Sequence, residues 1–92
     1  MSILESHVDR SSIEFQENSR YFQQLLDELN GRMRRVQQGG GEDAIARHRK
    51  RNKLLARERV ELLCDPDTPF LEFSPLAAWD MYENEAPSAG IV

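Results

Sequence analysis

With 92 residues, a formal net charge of -4, 39% hydrophobic and 30% charged residues, the chain is limited to one domain or part of one, marginal in stability unless another surface covers its apolar faces. The lone cysteine, Cys64, excludes an internal disulfide, no charged-then-apolar leader precedes it, and no apolar run approaches the roughly 20 residues of a membrane span, so a soluble protein of a reducing compartment is expected. The net charge conceals a reversal of sign: Arg47, Arg49, Lys50, Arg51, Lys53, Arg57 and Arg59 crowd a stretch whose only acid is Glu58, whereas Glu61, Asp65, Asp67, Glu72, Asp80, Glu83 and Glu85 follow without a lysine or arginine among them.

Residues 1–12 show no sustained period and read as a flexible head. Ser11 or Ser12 then suits an N-cap, with Glu14 well placed in the first turn of a helix. From Phe15, the set Phe22, Leu25, Leu26, Leu29, Met33 and Val36 recurs at steps of three and four, which lays one apolar stripe along a long helix over 13–38. Gly31 weakens that helix by about 1 kcal/mol relative to alanine without interrupting the stripe, and Gly39, Gly40 and Gly41 end it.

A basic helical pair is predicted over 42–64. Its first helix opens on Glu42 and Asp43 and ends in basic residues, which suits the helix dipole at both ends, but only Ala44, Ile45 and Ala46 are there to pack. Its second, about 56–64, carries Val60 and Leu63 on one face, with Leu55 leading in, and stops before Asp65-Pro66-Asp67. Residues 65–92 read as a turn, a short strand at Phe70-Leu71-Glu72-Phe73 broken by Ser74-Pro75, and an extended loop carrying Trp79, Met81 and Tyr82. Gly90-Ile91-Val92 has the character of a strand beginning, so the natural polypeptide is expected to continue.

No residue set here supports independent catalysis. His7 lies in the head and His48 among arginines, and no glycine-framed elbow surrounds a serine or Cys64, which reads as a small core residue beside Leu62 and Leu63. Two separated histidines and one cysteine do not make a metal site. The three glycines lack the preceding strand and the Lys-Ser or Lys-Thr pair of a phosphate loop, and Glu42 and Asp43 repel phosphate. The run from Arg47 to Arg59 is the feature with functional promise, because clustered guanidinium and ammonium groups hold phosphate through charge-assisted hydrogen bonds. The same run is equally read as a solvated face, or as internal pairing of Arg57 and Arg59 with Glu61 and other acids. Nucleic acid is disfavoured, since no aromatic residues interleave with these charges and the acidic tail repels a phosphate backbone. Trp79 and Tyr82 are read as covering a core or an interface rather than stacking on a ligand.

Taken in order, Gly39-Gly40-Gly41-Glu42, His48, Asn52-Lys53-Leu54-Leu55-Ala56-Arg57-Glu58-Arg59-Val60, Leu63-Cys64-Asp65-Pro66 and Phe70-Leu71-Glu72 form a series that resembles the start of carboxyltransferase (beta) subunits of biotin-dependent acyl-CoA carboxylases. The stretch from Ser74-Pro75 to Gly90-Ile91-Val92 is more similar to the methylcrotonyl-CoA or geranyl-CoA branch than to the propionyl-CoA branch. One departure is Asn52, where that family often has glycine; asparagine tolerates a left-handed backbone, though less readily.

The resemblance implies a fold class that is mainly α with a short β and loop tail, the N-terminal helical portion of a crotonase-like α/β carboxyltransferase domain. It implies a parent enzyme, a ligase, that moves a carboxyl group from carboxybiotin to an acyl-CoA, with coenzyme A thioester and carboxybiotin as its cofactors and none bound covalently to this segment. It also implies the rest of the subunit, a biotin carboxylase and biotin carrier subunit and further copies of the chain as partners, in the cytoplasm or, in a eukaryote, the mitochondrial matrix. Neither nucleic acid nor membrane is expected as a partner. The segment itself is expected to pack its stripe on the crotonase core and to help hold the coenzyme A phosphates through Lys53 and Arg57, then Arg51 and Arg47. The alternative is a free-standing helical adaptor that pairs through the Phe22 to Val36 stripe.

Overall fold

The chain leaves its head through a ladder of short polar contacts. Asp9 accepts hydrogen bonds on Oδ1 from the Ser11 backbone N–H (2.9 Å) and the Ser11 hydroxyl (2.6 Å). The Ser12 hydroxyl donates to the Asp9 carbonyl (2.8 Å) and accepts from the Phe15 N–H (3.1 Å), so Ser12 satisfies one of the orphan donors at the start of α1, Ile13–Gln37. The Ser11 contacts hold the Asp9 carboxyl below its ordinary range, the side-chain bond contributing most and the backbone bond next.

The computed structural model describes residues 2–92; the first residue of the expected head, Met1, lies outside them. The chain divides into two units, Met1–Gly31 and Arg32–Val92. In the first, Phe22, Leu25, Leu26 and Leu29 repeat along α1 and all are exposed, Phe22 at 64%. Tyr21 meets the Phe22 ring edge-on with centroids 6.3 Å apart, and Gln23 Nε2 donates to Asp27 Oδ1 (2.9 Å), one turn on.

The second unit gathers around the end of α1. Val36 is the only buried hydrophobic residue among those described, and it lines a small cavity of about 50 Å³ together with Gly39, Ala77, Trp79 and Ser88. Arg32 and Arg35 lie over the Trp79 ring, their guanidinium carbons 5.2 and 5.4 Å from its centroid. Trp79 is half-buried in this way, whereas Tyr82 is exposed. The stacking exploits the attraction of a cation for an aromatic face and lets the aliphatic arginine stems cover the indole.

Gly41, at φ 91, occupies the N-cap of α2, Glu42–Lys50, in a backbone region that a side chain resists. After a turn, α3 spans Ala56–Leu63 and ends at Cys64, whose N–H donates to the Val60 carbonyl (3.0 Å). Cys64 is half-buried rather than part of a core, because α3 stops there and its Leu62 and Leu63 neighbours face solvent.

The remainder corrects the expectation of a short strand: no strand occurs among the described residues, and Phe70–Phe73 has no regular structure. A strand requires a partner for its backbone donors and acceptors, and among the described residues no backbone hydrogen bond reaches this segment. Positive φ at Asp67 (61°) and Ser74 (52°) turns the chain on either side. Nor is the segment beyond Pro75 an extended loop. It winds through tight turns, including 3-10 turns at Tyr82–Asn84 and Pro87–Gly90, and the Ala89 N–H donates to the Ala77 carbonyl (3.1 Å) to close it on itself.

Candidate anion site on the basic stretch

The basic stretch is organised by its backbone turn before its charges come into play. His48 sits in the last turn of α2, where its carbonyl accepts from the N–H groups of Arg51 (3.2 Å) and Lys53 (3.3 Å), while the Asn52 N–H donates to the Arg49 carbonyl (2.9 Å). Asn52 adopts φ 57, the left-handed conformation that reverses the chain and that asparagine tolerates better than most residues. The His48 ring then reaches forward, Nε2 donating to the Leu54 carbonyl (2.9 Å), which fixes that nitrogen as the protonated one. His48 is therefore a brace for the turn between α2 and α3.

Glu58 locks the other side of the turn. Its Oε2 accepts from the Leu55 N–H (3.3 Å), as an acid in the third helical position does in a capping box, and its Oε1 accepts from Arg49 Nη2 (2.5 Å). Around these residues, Gln37, Gly40, Ile45, His48, Ala56 and Arg57 line an open pocket of about 420 Å³.

The four basic residues singled out in the sequence divide into two groups. Arg47, Arg51 and Lys53 are exposed and form no ion pair or side-chain hydrogen bond among the described residues. Arg57 instead turns inward: its Nη2 donates to Glu72 Oε1 (2.6 Å) and to Ser88 Oγ (3.3 Å), and Ser88 Oγ donates in turn to the Pro75 carbonyl (2.9 Å). The Arg57 Nε is buried without a partner. Internal pairing thus occurs, but Arg57 meets Glu72, fifteen residues on, and not Glu61.

This arrangement presents Arg47, Arg51 and Lys53 unneutralised on and beside a braced turn, a donor set chemically suited to phosphate or another polyanion. It holds no nucleophile paired with a base, and no group of three potential metal ligands lies together among the described residues. No helix of the described residues is long and apolar enough to cross a membrane.

No family model matches the sequence. Over all 92 residues, however, the chain is 47% identical to the mitochondrial methylcrotonoyl-CoA carboxylase beta chain of Arabidopsis thaliana, of which it spans 16%. Over 68 residues, 74% of the chain, it is 53% identical to the biotin-dependent 3-methylcrotonyl-coenzyme A carboxylase beta1 subunit of Mycobacterium tuberculosis, covering 13% of that protein. The chain belongs to the beta chains of biotin-dependent acyl-CoA carboxylases. Within that family, the propionyl-CoA carboxylase carboxyltransferase subunit of Haloferax mediterranei is more distant, at 33% over 72 residues, 73% of the chain and 14% of that subunit. Likeness to the methylcrotonyl branch therefore exceeds likeness to this propionyl relative. The chain spans about one-sixth of the length of the carboxylase beta chains it matches.

Proposed function

We propose that the chain serves as the N-terminal helical portion of a crotonase-like carboxyltransferase subunit, which transfers a carboxyl group from carboxybiotin to a methylcrotonyl-CoA-like acyl-CoA. The observation that carries this reading is 47% identity along the whole chain to a methylcrotonoyl-CoA carboxylase beta chain, joined to an α1 face too apolar for a solvated helix. Carboxybiotin supplies the activated carboxyl group, and this segment contributes no reacting atom to its transfer. Its duties are to pack the α1 stripe on the remainder of the subunit and to help position coenzyme A. The proposed partners are that remainder, the biotin carboxylase and biotin carrier subunit, and further copies of the subunit. The proposed compartment is the cytoplasm or, in a eukaryote, the mitochondrial matrix.

Coenzyme A positioning falls to Lys53, Arg51, Arg47 and Arg57. The first three present charge that no neighbouring acid neutralises. Arg57 anchors α3 through Glu72 and Ser88, and so holds the turn from which Lys53 and Arg51 project. Isothermal titration with coenzyme A at low and high salt, on the 92-residue chain and on a Lys53→Ala, Arg51→Ala variant, tests this part. Salt-sensitive binding that falls in the variant is expected, whereas affinity unchanged by the substitutions rejects these side chains as phosphate contacts. The packing role is tested separately by co-expressing this chain with a carboxylase beta chain lacking the matching segment. Recovery of a soluble complex is expected, and failure of the two to associate rejects it.

A further inference from the structure

A second surface of the Arg32–Val92 unit has a different electrostatic character from the basic turn. An open groove of about 1030 Å³ runs past the end of α3, with Val60, Leu62, Phe70, Leu71 and Val92 among its apolar lining. Phe70 and Leu71 are exposed within it, at 56% and 75%. The charged residues along the same groove are Arg57, Glu61, Asp65, Asp67 and Glu72. Arg57 and Glu72 neutralise each other at 2.6 Å, whereas Glu61, Asp65 and Asp67 are exposed and make no ion pair or side-chain hydrogen bond among the described residues.

A helix terminus adds to this negative potential. The last turn of α3 carries no basic residue, so the partial negative charge of its terminal carbonyls stands uncompensated beside the three carboxylates. No lysine or arginine follows Arg59 in the sequence, so the acidic side of the groove cannot draw a cation from residues 60–92. An anionic ligand is repelled here, and an uncharged apolar segment would leave the carboxylates partly desolvated without compensation.

We propose that this groove is a docking surface for an apolar segment flanked by lysine or arginine, supplied by the part of the full-length carboxylase beta chain that covers this chain. Its apolar side chains lie against Val60, Phe70, Leu71 and Val92. Its cations meet Glu61, Asp65, Asp67 and the carbonyl end of α3. The charge reversal in the sequence thus separates two surfaces: a basic turn for an anion, and an acidic-edged groove for a basic segment. The proposal rests on the carboxylase reading for the source of the segment, while the chemistry of the segment comes from the groove itself.

The test uses the 92-residue chain and two synthetic peptides sharing a leucine-rich centre, one flanked by lysines and the other by glutamates. Amide chemical shifts are followed during titration. The lysine-flanked peptide is expected to perturb Val60, Phe70, Leu71 and Val92, and to bind at least about tenfold more tightly than the glutamate-flanked one, as three exposed ion pairs allow. A Glu61→Lys, Asp65→Lys, Asp67→Lys variant is expected to lose that preference. A control with the same charge change, Asp80→Lys, Glu83→Lys, Glu85→Lys, is expected to retain it. Equal binding of the two peptides, shifts mapping away from the groove, absence of binding, or equal loss in both variants each overturns the proposal. These outcomes leave the co-expression result untouched, so failure of the groove inference and failure of the carboxylase reading are separable.

Discussion

Removing the Arg57 guanidinium tests whether the inward-turned pair or the exposed pair stabilises the second unit. At 2.6 Å and an effective dielectric of about 20, Arg57 and Glu72 attract each other by roughly 6 kcal/mol before desolvation is counted. Their side chains are 28% and 16% exposed, so much of that attraction is offset by the water each has lost. Arg57→Ala leaves Glu72 without its cation, breaks the donation to Ser88 and is expected to cost about 1.5–3 kcal/mol. Arg49 and Glu58 are 57% and 31% exposed, and removal of Arg49 is expected to cost about 0.2–1 kcal/mol despite its short contact. Urea unfolding followed by Trp79 fluorescence reports on this unit, with a double-mutant cycle of Arg57→Ala and Glu72→Ala isolating the pair. Equal losses for Arg57→Ala and Arg49→Ala, or a coupling near zero between Arg57 and Glu72, would refute the reasoning.

Protonation of Asp9 removes the charge that organises Ser11. Because the folded carboxyl titrates below its free value of 3.8, its stabilisation is fully present above that value and is lost as pH falls through the lower folded pKa. Amide shifts of Ser11 followed from pH 6 to 2 are expected to titrate with a midpoint below 3.8, and a midpoint above it contradicts the assignment. Gly31 lies within α1 with nothing within 4 Å of an added Cβ, so Gly31→Ala is expected to raise helicity, by about 1 kcal/mol; at Gly41, φ 91 makes the same change destabilising by about 1–2 kcal/mol. Circular dichroism melts with the same sign for both variants contradict this. At Asn52, glycine is expected to be neutral or stabilising while alanine costs about 1 kcal/mol, as read by the urea midpoint, because the backbone sits at φ 57.

The parts of the fold legible in the sequence were those fixed by neighbours a few residues apart. The three- and four-residue spacing from Phe15 to Val36 marks α1, a serine hydroxyl three residues before Phe15 marks its start, and three glycines mark its end. The left-handed turn at Asn52 was likewise readable, from the residue type that replaces glycine there. Contacts across longer separations were not. Arg57 and Glu72 are fifteen residues apart, and Ser88 lies thirty-one beyond Arg57, so no periodicity links them. The bracing of the turn by the His48 ring, which donates to the Leu54 carbonyl six residues on, likewise required the turn to be seen. Glu58 offered a clue, since an acid three residues after a helix N-cap is a capping signal; Leu55 at the cap, in place of serine or threonine, concealed it. Phe70-Leu71-Glu72-Phe73 has the composition of a strand, yet composition supplies no partner, and the backbone remained irregular.

The balance of apolar surface leads to a final prediction. A unit whose α1 face leaves Phe22, Leu25, Leu26 and Leu29 at 43–64% exposure retains a large part of their transfer free energy for association. Completing the burial of four such side chains contributes on the order of 1 kcal/mol each, about 4 kcal/mol together, before the ordering of the partner is subtracted. In the complex with the remainder of a carboxylase beta chain, that gain raises the free energy of local opening along α1. Amide hydrogen exchange between Phe15 and Leu29 is therefore expected to slow by up to about a thousandfold relative to the isolated chain. Exchange on the opposite, polar side of the helix belongs to the same hydrogen-bonded ladder and should slow with it, since opening a turn exposes both sides. Protection already as high in the isolated chain would mean that α1 is held by its own backbone and local side-chain pairs, leaving the exposed stripe without a stabilising duty. Protection that rises only beyond Gly31 would instead place the covering contact on the second unit.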